Sequence, residues 1–407
     1  MTYPRFCQEA IKQALADTPL IIVTGARQTG KSTLVSQFNR RSSFTFDDWS
    51  TFQAAKNNPE GFIQTLAKNP LPILLDEVQL VPEIFLPLKK RVDQHRQPGL
   101  FILTGSANLL NWEGLPDSLA GRTEYITLHP LSLSEIMNHQ PTWIDQIFVY
   151  DFADLLNVFQ KSLATAEHIE RFLTRGGYPE PFKRDQASRR SAWHESYIKA
   201  LLERDVRSLD TVENPFILRQ LLTHLALTVG STLNFTNLAL KLQTSLPTVR
   251  KYFRLLGLLY LCHELKPWHR NLGKRIIKSP KIFLNDVGLV QYLVPSQDPS
   301  QRGVLMEQFV FNELQKQISW SQTKPELYFW RTSEGKEIDF VMEDKQGKVF
   351  ALEVKAKSTL NASDFSHLKI LQQNIPGQFL GGIVVYNGDK VLPFGTGLYG
   401  VPVTHLF

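Results

Sequence analysis

The stretch LIIVTGARQTGKS, residues 20–32, sets the fold of the first part of the chain. Its apolar start, residues 20–23, predicts a buried strand, and the next residues match the phosphate-loop pattern G-x-x-x-x-G-K-[ST]. Glycines let the backbone curl so that its N–H groups point at phosphates, and the following helix adds positive potential at its N-terminus. We expect ATP to be held by Gly25, Ala26, Arg27, Gln28, Thr29, Gly30, Lys31, Ser32 and Thr33. Lys31 is expected to reach the β- and γ-phosphates, and Ser32 to bind Mg²⁺.

A second apolar strand, residues 73–75, runs into two acids, Asp76 and Glu77. Two carboxylates at the end of a buried strand raise the free energy of the folded state unless they bind a partner or a ligand. Asp76 is expected to act on Mg²⁺, either directly or through water, and Glu77 to polarise the attacking water as general base. The alternative is a solvated strand end.

The third strand, residues 101–104, ends close to Ser106. A polar side chain at this position can orient water beside the phosphate loop. We choose Ser106 for this role, with Thr104 and Asn108 as rivals, and a capped turn is the competing interpretation.

Arg122 stands just before the next strand, at residues 125–128. An arginine there is placed to reach the γ-phosphate of a neighbouring subunit as a finger, which requires an oligomer. The alternative is a surface arginine paired with Glu124.

Short strands alternate with helical patterns, at 31–41 and 88–95 among others, up to about residue 141. This alternation predicts an α/β fold with a parallel sheet and helices on both faces. The pattern divides the chain into a nucleotide-binding core at 1–141, a helical region at 142–233, a helix-turn-helix region at 234–300 and a mixed α/β tail at 301–407.

Four motifs, GARQTGKS, LLDEVQ, LTGS and LAGR, resemble a widespread bacterial and archaeal family of AAA+ P-loop ATPases. Members of that family join the ATPase to a C-terminal nuclease-like domain. GGYP at 176–179 and ERDV at 203–206 also resemble the family, so the resemblance spans nearly the whole chain. It implies ATP hydrolysis, action on DNA and a homo-oligomeric ring, which we expect to be a hexamer or heptamer. It also implies that residues 142–233 act as a lid, in which Arg204 is a candidate second trigger arginine.

Residues 234–267 carry a compact helix-turn-helix pattern, with Ser245 as the expected N-cap of the second helix. A basic hairpin or wing is expected at 273–284, which predicts a winged helix that binds duplex DNA. The candidate DNA-binding residues are Arg250, Lys251, Arg254, Lys274, Arg275 and Lys278, and Lys281 is expected to decorate the same hairpin. A protein–protein module with a solvated basic face is the alternative.

The tail holds a second set of four reactive residues on three elements: Glu307 on a helix, Asp339 on one strand, and Glu353 and Lys355 on another. Residues two apart on a strand share a face, so Glu353 and Lys355 project together. The order resembles the PD-(D/E)XK nuclease superfamily. It implies Mg²⁺ on Asp339 and Glu353, with Lys355 positioning or deprotonating water or stabilising charge. The alternatives are a surface ion-pair cluster and a catalytically silent nuclease-like fold that only grips DNA.

Composition narrows the setting. The net charge of +6 weakly favours a polyanionic partner. The sequence contains no run of 18 apolar residues, so we do not expect a membrane span. The two cysteines, Cys7 and Cys262, have no metal-ligand spacing, and the N-terminus lacks the apolar core of a signal peptide. We expect a cytoplasmic protein.

Two classes of function remain. The first is an ATP-driven motor that remodels or translocates duplex or branched DNA, with a tail that grips or cuts it; rearranging branched DNA without cutting is a variant. The second is a nucleotide-gated signalling or adaptor ATPase that binds protein partners and has a silent tail.

Overall fold

The computed structural model describes residues 3–105, 119, 121–149, 155–159, 162–210, 212–269, 279–295 and 301–407. The chain divides into two compact units. One comprises Arg5–Pro130 and Leu258–Leu261; the other comprises Leu131–Gly257 and Cys262–Phe407, together with the first residues of the chain. No helix within these described ranges is both long and apolar enough to cross a membrane.

The first unit is built on a five-stranded sheet. Its strands are β1 (Leu20–Thr24), β2 (Ser43–Thr45), β3 (Ile73–Asp76), β4 (Phe101–Thr104) and β5 (Thr123–Thr127), in the order β2-β3-β4-β1-β5. All four pairings are parallel, as the sequence predicts. Alternate side chains of β1 enter two separate apolar clusters, Leu20 and Ile22 on one face and Ile21 and Val23 on the other. Both faces are therefore covered, as a parallel sheet requires.

Helices pack on both sides of this sheet. They span Cys7–Asp17, Lys31–Val35, Trp49–Asn57, Pro59–Leu66 and Phe85–His95, and 3₁₀ turns span Arg40–Ser42, Val78–Leu80 and Pro82–Ile84. The helix expected at 31–41 ends early, at Val35. Asn39 has extended backbone and caps the following 3₁₀ turn, accepting from the N–H of Arg41 at 3.2 Å. Its side-chain amide also donates to the Pro70 carbonyl, which ties this connection to the next loop.

The second unit begins with helices. They span Leu133–Met137, Trp143–Val149, Leu155–Val158, Ala166–Arg175, Pro179–Phe182, Ala187–Ala200, Val206–Leu209, Pro215–Leu227, Phe235–Lys241, Leu246–Leu258, Val287–Leu293, Gln301–Trp320 and Ser366–Asn374, with a π-helical turn at Leu201–Asp205. Phe235–Lys241 and Leu246–Leu258 form the predicted helix-turn-helix. Ser245 accepts from the N–H of Thr248 at 3.2 Å, so it caps the second helix as expected.

A two-stranded antiparallel sheet follows the helix-turn-helix, formed by β6 (Cys262–Leu265) and β7 (Lys281–Leu284). The backbone beyond β6 continues into the tail: the N–H of Phe329 donates to the Lys266 carbonyl at 3.1 Å, and the N–H of Trp268 donates to the Phe329 carbonyl. These bonds join the small sheet to the edge of the tail sheet.

The tail is a mixed six-stranded sheet. Its strands are β8 (Glu326–Arg331), β9 (Glu337–Glu343), β10 (Val349–Lys355), β11 (Phe379–Tyr386), β12 (Leu392–Gly395) and β13 (Leu398–Pro402), in the order β12-β13-β11-β10-β9-β8. β10 is antiparallel to β9 and parallel to β11. The helix Ser366–Asn374 is preceded by a 3₁₀ turn, Ala362–Phe365. Asn361 caps this turn by accepting from the N–H of Ser363 at 3.0 Å.

Candidate functional site

The phosphate loop is fixed by two glycines with positive φ, Gly25 at 138° and Gly30 at 96°. A Cβ atom on Gly25 would lie 2.2 Å from the Leu128 carbonyl oxygen. Residues that carry a side chain rarely adopt such a positive φ, and here a side chain would also have no space. The loop can therefore lie against the end of β5 only with glycine at this position.

Lys31 opens the helix after the loop and is only 5% exposed. Its ammonium donates to the carbonyls of Gly25 and Ala26, at 2.9 Å each. Burial lowers the pKa of Lys31 to about 8, and the charges of Glu77 and Asp76 partly oppose that shift. The ammonium thus lies inside the loop, on carbonyls that it can exchange for phosphate oxygens.

Ser32 and Asp76 meet at the carboxyl ends of the strands. The Ser32 hydroxyl donates to Asp76 Oδ1 at 3.0 Å. A hydroxyl and a carboxylate beside a phosphate loop are oxygen ligands that suit Mg²⁺, so these residues fit the expected ion. The structure brings this predicted pair together.

Thr104, one of the rivals to Ser106, is fully buried at the end of β4. Its hydroxyl donates to Asp76 Oδ1 and accepts from the N–H of Glu77 at 3.3 Å. Thr104 thus holds both acids of β3 in position. Ser106 and Asn108 lie outside the described residues.

Glu77 follows β3 with a left-handed backbone, at φ 58° and ψ 44°. A non-glycine residue in this region is uncommon and stores strain, and such outliers concentrate at functional sites. Its carboxylate accepts from the side-chain amide of Gln79. Glu77 lies just beyond strand β3, which ends at Asp76.

Arg5 is a contact of the loop that the sequence did not indicate. Its guanidinium donates to the carbonyls of Thr29, at 2.6 Å, and His129, at 2.5 Å. It therefore ties the phosphate loop to the segment after β5.

Arg122 precedes β5, and its carbonyl accepts from the N–H of Leu20. It therefore lies at the amino-terminal edge of the parallel sheet, whereas the phosphate loop follows the carboxyl end of β1. Its guanidinium pairs with Asp93, Nε to Oδ1 at 2.5 Å. The alternative interpretation paired Arg122 with Glu124, whereas the structure shows a pair with Asp93.

The candidate DNA-binding residues of the second helix already have partners in the same unit. Asp210 accepts from Lys251 at 3.1 Å and lies 3.8 Å from Arg254. The Arg250 guanidinium lies over the ring of Phe235, 5.7 Å from its centre. Arg250 thus contacts an aromatic ring, whereas Lys251 and Arg254 lie near one carboxylate. Lys274, Arg275 and Lys278 lie outside the described residues.

The four predicted tail residues converge in one place. We call it the carboxylate pocket and define it by its four acids: Glu307, Glu337, Asp339 and Glu353. Phe340 pairs with Leu352 across β9 and β10, which brings the preceding Asp339 beside Glu353. Asp339 Oδ2 accepts from the N–H of Val354 at 2.9 Å. Lys355 donates to Glu353 Oε1 at 2.7 Å.

The sequence predicts Lys281 on an exposed hairpin, but the structure buries it. It begins β7 and is 1% exposed. Its ammonium lies 2.9 Å from Glu307 Oε1, 2.6 Å from Glu337 Oε1 and 3.4 Å from Asp339 Oδ1. Glu337 was also missed, although it lies two residues before Asp339 on the same strand and thus shares its face.

Burial is the main influence on protonation in the pocket. It raises the pKa of Glu307 to about 8, assisted by the negative charge of Asp339 and opposed by Lys281. It likewise raises the pKa of Glu353 to about 8, assisted by Asp339 and opposed by Lys355. For Lys281, burial favours the neutral form, but the charges of Asp339, Glu307 and Glu337 outweigh it and raise its pKa.

The pocket does not fit the divalent metal that the nuclease resemblance implies. Asp339 has both oxygens engaged, by Lys281 and Val354, and Glu353 Oε1 accepts from Lys355. Glu353 Oε2, by contrast, is buried without a hydrogen-bond partner among the residues that the structure describes. In the same part of the chain, no group of three or more histidine, cysteine, aspartate or glutamate side chains is arranged to hold a metal ion.

Comparison with protein families divides the chain into three matched regions. Residues 17–137 match the model of an AAA domain, residues 166–300 a domain of unknown function (DUF8612), and residues 302–406 another domain of unknown function (DUF4143).

Two relatives are similar along nearly the whole chain. Uncharacterized proteins of Mycobacterium tuberculosis and Mycobacterium bovis are each 27% identical over 405 residues, covering 97% of this chain and 82% of theirs. Among solved structures, the Walker-type ATPase of Pyrococcus abyssi aligns with a TM-score of 0.41 at 14% identity, over 70% of this chain and 94% of that one. The AAA-domain match and the parallel sheet with its phosphate loop together support a P-loop ATPase domain of the AAA class in residues 17–137.

Proposed function

We propose that this chain is a Mg²⁺-dependent ATPase of the AAA class that uses hydrolysis to remodel or translocate DNA, which its tail grips. The contact between Ser32 and Asp76, at 3.0 Å beside the buried Lys31, carries the ATPase part of the proposal. This contact brings the phosphate loop, the first turn of the following helix and the end of β3 together where a triphosphate would bind.

The chemistry follows from the placement of these groups. Loop N–H groups receive the phosphates, and Lys31 exchanges the carbonyls of Gly25 and Ala26 for phosphate oxygens. Mg²⁺, held by Ser32 and Asp76, would neutralise phosphate charge when it is bound. Glu77 accepts a proton from water as that water attacks the γ-phosphorus, and ADP leaves. Thr104 keeps Asp76 and the Glu77 backbone in register during this step.

Arg122 is proposed as the group that links hydrolysis to assembly. It lies at the amino edge of the sheet, so in a ring it would serve a neighbouring site rather than its own. The pairing with Asp93 holds the guanidinium until a neighbour's γ-phosphate competes for it. A hexamer or heptamer is the expected assembly.

The DNA part of the proposal is supported by the capped helix-turn-helix, the adjoining two-stranded sheet and the net charge of +6. Gripping is favoured over cutting because the carboxylate pocket is filled by ammonium groups. The signalling or adaptor alternative has its own support, since Asp210 offsets the charges of Lys251 and Arg254 on the expected recognition helix.

ATPase rates with single-stranded, duplex and branched DNA, each against no DNA, test the proposal. We expect hydrolysis that one of these forms stimulates, and no hydrolysis from Lys31→Ala, which removes the phosphate-binding ammonium. Hydrolysis that ignores every form of DNA would favour the adaptor function. Retained tight ATP binding by Lys31→Ala would refute the phosphate-loop assignment itself.

A second comparison separates cutting from remodelling. Wild type and Asp339→Ala are assayed for cleavage and for unwinding of the same branched DNA with Mg²⁺ or Mn²⁺. Gripping predicts no cleavage by wild type. Metal-dependent cleavage that Asp339→Ala abolishes would instead establish a nuclease.

A further inference from the structure

Lys281 is a buried cation enclosed by acids from two other elements. Glu307 comes from the helix Gln301–Trp320, and Glu337 and Asp339 come from β9. The side chains of these three acids are 18%, 28% and 15% exposed, whereas Lys281 is 1% exposed. A buried ammonium is tolerated only when charge and hydrogen bonds compensate it, and these three carboxylates supply both.

The ammonium occupies the oxygens that a metal would need. Lys281 Nζ is within 3.4 Å of one oxygen from each of the three acids, and it lies 5.6 Å from the centre of the Phe329 ring. Carboxylate oxygens are the preferred ligands of Mg²⁺ and Mn²⁺. An ion bound to the same lone pairs would have to displace Lys281, because two cations in contact repel each other.

The second oxygen of Asp339 and one oxygen of Glu353 also have hydrogen-bond donors nearby. Asp339 turns its second oxygen to the backbone of Val354, and Lys355 holds Glu353. The four acids thus have three cationic partners, Lys281, Lys355 and Arg331, whose Nε lies 3.6 Å from Glu337 Oε2. Within the described part of the chain, Glu353 Oε2 remains buried without a hydrogen-bond partner.

We propose that Lys281 is the built-in cation of the carboxylate pocket and excludes a divalent metal for as long as it is in place. Lys281 lies on the two-stranded sheet beside the helix-turn-helix, whereas the acids lie on the tail. Opening the pocket to metal therefore requires the Lys281 ammonium to leave these acids. This inference goes beyond the proposed function, because it concerns metal binding without nucleotide or DNA.

The test is Mn²⁺ binding to the full chain, measured by electron paramagnetic resonance of free Mn²⁺ without nucleotide. The pocket's share is defined as the binding that Asp339→Asn removes. The variants are Lys281→Met, which keeps the length of the side chain without its charge, and Lys281→Arg, which keeps the charge as the matched control.

We expect no pocket binding by wild type or Lys281→Arg. Lys281→Met should gain one Mn²⁺ site, with a dissociation constant at least about tenfold below the highest Mn²⁺ concentration at which wild type shows no pocket binding, and that site should vanish when Asp339→Asn is added. A pocket site of equal affinity in wild type and Lys281→Met would overturn the proposal, and so would a Lys281→Met chain that folds without gaining a site.

Removing a buried ammonium also leaves acids uncompensated, so folding is measured in parallel. Thermal unfolding is followed with and without Mn²⁺ for Lys281→Met and for Lys281→Met combined with Glu337→Gln, which removes one negative charge. Stabilisation of either variant by Mn²⁺, absent in wild type, supports the exchange of ammonium for metal. If neither variant folds or is restored by Mn²⁺, the proposal fails, since a pocket that fits the ion would be stabilised by it.

Discussion

The hydroxyl of Ser32 donates to Asp76 Oδ1 across 3.0 Å and joins the first turn after the phosphate loop to the end of β3. Ser32→Ala removes the hydroxyl that we propose as a Mg²⁺ ligand. We expect the Mg²⁺ concentration for half-maximal hydrolysis to rise about 10- to 100-fold, while Ser32→Thr, which keeps the hydroxyl, stays near wild type. A Mg²⁺ titration of the ATPase rate measures this, and equal curves for the two variants would contradict the role of Ser32.

Glu77→Gln should separate binding from hydrolysis. The amide keeps the size of the side chain but cannot accept a proton from water, so turnover should fall about 100- to 10,000-fold while ATP binding persists. Nucleotide retained after gel filtration, together with single-turnover rates, measures both effects. Normal turnover would exclude Glu77 as the base.

Thr104→Val removes the hydroxyl that contacts Asp76 and the Glu77 backbone, with little change in shape. We expect kcat to fall about 10- to 100-fold with KM for ATP nearly unchanged, because the acids lose their orientation and the phosphate loop does not. Thr104→Ser, which restores the hydroxyl, is the control. A rise in KM alone would assign Thr104 to nucleotide binding instead.

Arg5→Ala should weaken ATP binding. Its two hydrogen bonds to the carbonyls of Thr29 and His129 hold the loop before nucleotide arrives. Losing them should reduce affinity about tenfold, with kcat at saturating ATP close to wild type. Binding of a fluorescent ATP analogue measures the affinity. A change in kcat without a change in affinity would show that Arg5 acts on the chemical step.

His194 should make stability depend on pH. It is 3% exposed and stacks on Tyr292, and burial, with a smaller effect from Arg190, lowers its pKa to about 4. The folded state therefore keeps the ring neutral, and the unfolded state binds a proton below its ordinary pKa of about 6.5. The stabilisation is complete above that pH and is lost as pH falls toward 4.

We expect this contribution to be on the order of 3 kcal/mol across that window. Denaturant unfolding of wild type and His194→Phe at pH 7, 6, 5 and 4 isolates it, since the variant keeps a ring and loses the titrating group. Parallel pH profiles for the two proteins would rule out His194 as the source.

The geometry of the phosphate loop and of the end of β3 was largely predictable because its signal is local. A loop of eight residues and a strand that ends in two acids specify their own geometry, and the parallel sheet brings Ser32 and Asp76 to one edge. The choice between Thr104 and Ser106 was less determined, because both are polar and lie close to the same strand end. The structure assigns the contact with Asp76 to Thr104.

The carboxylate pocket shows where prediction from one sequence stops. Alternation on β9 and β10 placed Asp339, Glu353 and Lys355, and the same rule would have found Glu337. Lys281 could not be placed, because its partners lie 26 to 58 residues later and no local pattern reports such a contact. A lysine at a strand start is ordinarily solvated, and only the tertiary fold buries this one.

The backbone bonds from Lys266 and Trp268 to Phe329 have a practical consequence for dividing the chain. The family boundaries, at 300 and 302, invite separate expression of the two halves. A shortened polypeptide that ends at residue 300 would lose the strand that covers this edge and every acid that surrounds Lys281, so it would be prone to aggregate. A shortened polypeptide made to study the tail should therefore begin before β6 rather than at the family boundary.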